Sequence, residues 1–117
     1  MTKVLNVHLG TMADVKTRFV AAIRSAEAGE GIEATPSIEF ASYDDMHKVL
    51  APSRLAIVKA LAGQGALSIR EIARRVGRDV HRDVTTLVNA GVIDRTADGI
   101  EFPYDSIHFE YDVSAVA

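Results

Sequence analysis

Ser68 to Gly91, SIREIARRVGRDVHRDVTTLVNAG, reads as two short amphipathic helices joined at a glycine. Ile69, Ile72, Ala73 and Val76 recur at helical spacing and are expected to face inward. Ser68 and Glu71 match a capping box at the start of that helix, and Gly77 ends it. Asp79 is the expected N-cap of the next helix, whose inner stripe is Val80, Val84, Leu87 and Val88 before Gly91 closes it. Val92 and Ile93 then start a strand, Ala97-Asp98-Gly99 turns the chain, and Ile100 and Phe102 return. A helix pair around a tight turn, followed at once by a hairpin, is the pattern of a winged helix-turn-helix.

The outer faces of the two helices are cationic. Residues 68–82 hold five arginines against Glu71 and Asp79, whereas residues 83–117 hold Arg95 against seven acids. The net charge of −3 therefore conceals a basic centre and an acidic tail. Local potential steers a polyanion, so this distribution admits double-stranded DNA and argues against nonspecific coating. Arg70 and Arg74 share a helix face, and Arg78 follows in the turn. Arg78, His81, Arg82 and Thr85 are best placed for a groove, and Thr85 and Thr86 can donate to phosphates or touch a thymine methyl. With Ser68 at the first cap and Arg95 near the wing tip, they complete the expected DNA-binding set. The competing structural account is that these arginines solvate exposed faces, some pairing with Glu71, Asp79 and Asp83.

Outside this unit, Val4 to Leu9 alternates with Leu5, Val7 and Leu9 on one face, a strand pattern. Thr11 caps a helix carrying Met12, Val15, Phe19, Ile23 and Ala26 in one stripe, ended by Gly29. Ile38 and Phe40 mark a second strand. Ser42 and Asp45 open a helix, and Pro52 starts another, lined by Leu55, Ile57, Val58 and Leu61. Ile107, Phe109, Tyr111 and Val113 alternate as a last strand. The expected fold is α+β: residues 1–42 form a strand-helix-strand arm for dimerisation, and residues 43–117 form the winged helix-turn-helix domain with its final strand. The apolar face of the first strand needs cover, either from the final strand or from a second copy of the chain. A homodimer is the expectation.

At SIREIARRVGRD, VHRDV, NAGVI and FPYDSIHFEYD the sequence resembles a family of small prokaryotic winged-helix DNA-binding proteins, MarR-like regulators, some encoded beside toxin genes. The resemblance runs from about Asp44 to Asp112. It implies a dimeric transcriptional regulator, a repressor, or an antitoxin that binds a partner toxin and controls its own operon. One departure stands out. Gly77 and Gly91 lie fourteen residues apart, roughly one helical turn shorter than the resemblance leads one to expect. Either the second helix starts abruptly and reads DNA through His81, Arg82 and Thr85, or partner binding dominates.

The other function classes find little support. The chain has no cysteine, and His8, His47, His81 and His108 lack metal-ligand spacing, so no metal or cofactor is expected. His8 and His108 read as packed or paired strand residues. The acid pairs Asp44/Asp45 and Asp105/Glu110 read as a helix start and a solvated strand edge. No nucleophile elbow, P-loop or dinucleotide fingerprint occurs, and no enzyme is expected. No apolar run approaches the ~18 residues of a membrane span, and no secretory signal is visible. A cytoplasmic location is the expectation.

Overall fold

The computed structural model describes residues 3–10 and 36–111, together with residues 16, 19–21, 23, 24 and 27–29 of the segment between. In chain order the elements are β1 (Val4–Leu9), β2 (Ser37–Phe40), α1 (Tyr43–Val49) and α2 (Pro52–Leu61). They are followed by α3 (Ile69–Val76), α4 (His81–Asn89), β3 (Asp94–Thr96), β4 (Gly99–Glu101) and β5 (Ser106–Glu110). Residues 16, 19–21, 23, 24 and 27 are also helical. The architecture is mixed α+β.

The alternation in β1 buries Leu5 and Val7 on one face. β1 lies in the middle of a parallel sheet ordered β2-β1-β5, with Val7 opposite both Ile38 and Phe109. The final strand therefore pairs with one edge of the first within the chain, while the Leu5 and Val7 face joins the core cluster. Its entry is fixed by a reciprocal pair: the Lys3 N–H donates to the Asp105 carboxylate at 2.6 Å, and the Asp105 N–H donates to the Lys3 carbonyl at 2.7 Å. On the polar face of β1, His8 Nδ1 lies 3.6 Å from a Glu110 carboxylate oxygen. Tyr111 falls just beyond β5, while Val113, Thr11, Met12, Val15 and Ala26 lie outside the described residues.

Helix starts follow local chemistry. The Ser42 and Ser68 hydroxyls accept from the backbone N–H groups of Asp45 and Glu71 at 3.2 and 3.1 Å, satisfying donors that have no partner within the helix. Pro52 opens α2, where its missing N–H removes no bond. Gly77 ends α3 in the left-handed region at φ 77°, as a glycine can without steric penalty. The N-cap of α4 is Val80 rather than Asp79. Asp79 nevertheless supplies the polar partner from one residue upstream, its carboxylate accepting the His81 N–H at 3.0 Å.

Ile57, Leu61, Ile72, Val80, Val84 and Leu87 are fully buried and form one core with Leu5 and Val7. Val92 and Ile93 belong to that core too, but as an irregular buried link rather than the start of a strand. The Val92 N–H donates to the Leu87 carbonyl at 3.0 Å, so the chain is still held to the end of α4 before the strand begins at Asp94. The short β3-β4 hairpin is anchored by Leu67, which exchanges two backbone hydrogen bonds with Ile100 at 2.7 and 2.8 Å. Gly99, at φ +135°, makes this approach possible: a Cβ there would sit 2.6 Å from the Leu67 carbonyl oxygen.

Candidate nucleic-acid interface

Three helices and the hairpin hold the basic residues, and the acids of the same segment divide them into two groups. Glu71 sits three and four residues, about one turn, before its partners, accepting from Arg74 Nε at 2.9 Å and from Arg75 Nε at 2.9 Å. The Arg74 and Arg75 guanidinium groups hold its carboxyl at about 2, far below the usual glutamate range. Glu71 is thus drawn away from the Ser68 backbone, and only the serine half of the capping box forms among the described residues. Arg75 also donates to the Gln64 side chain at 3.0 Å. Arg74 remains largely exposed, and its ion pair raises its pKa.

Asp83 forms a second, more buried centre. It accepts from Arg78 and, at 3.1 Å, from Arg54 Nε. The Arg78 hydrogen bond is the main reason its carboxyl lies below the ordinary aspartate range, against the opposing effect of burial. Arg78 donates further to the Ser53 carbonyl at 2.7 Å and the Asp79 carbonyl at 3.2 Å, while Arg54 reaches the Lys48 and Val49 carbonyls. This knot ties α1, the start of α2, the α3-α4 turn and α4 together. Arg78 is therefore a paired, half-buried guanidinium linking the α3-α4 turn to α2 and α4.

Arg70, Arg82 and Arg95 are different. All three are exposed, and none makes a side-chain hydrogen bond or ion pair among the described residues. Two shallow concavities relate Arg70 and Arg95 to one another. One is lined by Ile69, Arg70, Ala73, Asp79 and His81, the other by Ser68, Ile69 and the hairpin from Arg95 to Ile100. Ile69 belongs to both. Arg95, Ser68, Arg70 and His81 consequently lie along one continuous surface from the hairpin to the start of α4.

On α4, Val84 and Leu87 face the core, which turns Arg82, Thr85 and Asn89 outward. Asn89 was not in the expected set. Its signal in the sequence is the spacing 82, 85, 89, the outward counterpart of the buried stripe. The Val80 cap offers no side-chain acceptor to the first turn of α4. His81 Nδ1 lies 3.0 Å from Asp79, whose carboxyl is lowered chiefly by the His81 backbone N–H and secondly by its ring. Thr85 and Thr86 donate their hydroxyl protons to the His81 and Arg82 carbonyls at 3.0 and 3.1 Å. Against expectation, those protons are committed within the helix, leaving methyl groups and lone pairs to a ligand.

No cluster of three or more His, Cys, Asp or Glu side chains suited to a metal occurs among the described residues. Among them, too, no helix is long and apolar enough to cross a membrane. The chain belongs to the HVO_A0114 family, whose model matches residues 49–109. That span holds all nine residues expected at the interface and leaves β1 and β2 outside. Comparison with curated proteins and with solved structures gave no match.

Proposed function

We propose that the protein is a winged helix-turn-helix transcriptional regulator, a cytoplasmic repressor of the MarR-like kind that binds double-stranded DNA as a homodimer and catalyses no reaction. The observation that carries this reading is the continuous surface joining Arg95, Ser68, Arg70 and His81 to the outward stripe of α4. In it α4 enters the major groove by its amino-terminal turn, as a recognition helix does. Arg82, Thr85 and Asn89 face the bases, Arg70 and Arg74 meet the backbone, and Arg95 on the hairpin reaches the adjacent strand. The Arg54-Asp83-Arg78 knot sets the angle of α4.

Fluorescence anisotropy on DNA from the upstream region, read at several salt concentrations, tests it. Affinity is expected to fall linearly in a log-log plot. The Arg70→Ala/Arg82→Ala double variant should bind at least tenfold more weakly, with a slope shallower by about 1 for the lost Arg70 phosphate contact. Salt-independent binding, or unchanged affinity in the double variant, overturns the reading.

The second reading, an antitoxin-type module that binds a partner toxin, is favoured by one observation. Tyr43 and Tyr111 meet edge to face at 5.8 Å beside the edge strand β5, where Phe109 is also exposed. An aromatic group at an open strand edge suits protein docking. Co-expression with the product of the neighbouring gene should then give co-purification that Tyr111→Ala weakens, and no co-purification counts against it.

A further inference from the structure

Between β1 and β2, helical residues 16, 20, 23 and 27 follow a 4-3-4 spacing and so form a single stripe. Val20 and Ile23 in its middle are 44% and 41% exposed, and Phe19 beside them is 66% exposed. Lys16 at one end and Glu27 at the other are exposed, and neither is ion-paired among the described residues. The stripe is apolar at its centre and oppositely charged at its ends.

We infer that this stripe is the surface on which the protein pairs with a second copy of itself, two helices packing antiparallel about a two-fold axis. This deepens the dimeric reading above, and rests on it only for the expectation of a dimer. The order of residues is self-complementary. In an antiparallel pair centred between residues 21 and 22, Val20 meets Ile23 of the partner subunit. The same operation sets Lys16 against Glu27 of the partner subunit, twice per dimer. A parallel pair would place like charges together at both ends. Two-fold symmetry requires a patch that matches itself, and this one does. The 4-3-4 repeat is also the seam of shallow left-handed helix packing.

Sedimentation equilibrium of the full chain without DNA tests the arrangement. Apparent mass should climb with concentration from 12.6 kDa toward twice that value. Val20→Glu should hold the protein at monomer mass. Lys16→Glu and Glu27→Lys should each weaken dimerisation about fivefold, since each introduces two like-charge contacts. The combined Lys16→Glu/Glu27→Lys variant should return to within about twofold of the parent. Circular dichroism melting of every variant separates lost pairing from lost folding. Monomer mass at all concentrations, a dimer indifferent to Val20→Glu, or a double swap no better than the single ones overturns the proposal. Because mass is read without DNA, failure here leaves the Arg70/Arg82 result standing, and the reverse holds as well.

Discussion

Leu5→Ala is expected to destabilise the protein by about 3 kcal/mol, as truncation of a fully buried leucine generally does. Leu5 is 1% exposed and belongs to the core that also holds Ile57, Leu61 and Ile72. It stands on the strand that joins β2 to β5 and has little room to relax, because both neighbours are hydrogen-bonded to it. Removing three carbon atoms leaves a cavity beneath the helices. Urea unfolding at neutral pH measures the loss. A change below about 1 kcal/mol would mean that β1 lies against the helices without contributing to their core.

Asp83→Ala should cost about 2–3 kcal/mol, because two arginines lose their shared partner in a largely enclosed place. The Asp83 and Arg54 side chains are only 20% and 21% exposed. Its pH dependence has a definite sign. The folded state depresses the Asp83 carboxyl, so its stabilisation is complete above the unfolded aspartate value near ~3.9. It is lost as pH falls through the lower, folded value. The stability gap between parent and variant should therefore be constant at neutral pH and close below about pH 4. A gap that persists unchanged into strong acid would show that packing, not charge, holds the knot. Under the proposed DNA-binding function, Arg78→Ala should weaken binding in the same anisotropy titration by loosening this knot.

The helices are legible in the sequence because their signals are local. Ser42, Pro52, Ser68 and Gly77 each act on backbone groups within one turn, and apolar residues recur at helical spacing between them. The Glu71 pairs are legible for the same reason, since three and four residues bring side chains together on a helix. The role of Arg78 is not. Its partner lies five residues away across a turn, and Arg54, from 29 residues before Asp83, completes the site. Charge counting cannot distinguish such a paired guanidinium from a free cation. Val92 and Ile93 mislead because an apolar pair reads the same in a buried link as in a strand. The parallel pairing of β1 with β5 depends on contacts across almost the whole chain, which periodicity does not report.

That sheet also sets an order of events during synthesis. β1 is synthesised before both of its neighbours yet ends up between them, and the Lys3–Asp105 link spans 102 positions. The helical centre can assemble while the nascent chain is still growing, since its contacts are short-range. β1 can pair with β2 early, but it must keep its other edge open until β5 has been translated. For that interval an apolar strand edge is available to chaperones and to neighbouring nascent chains. Completion of this sheet waits on Ser106–Glu110.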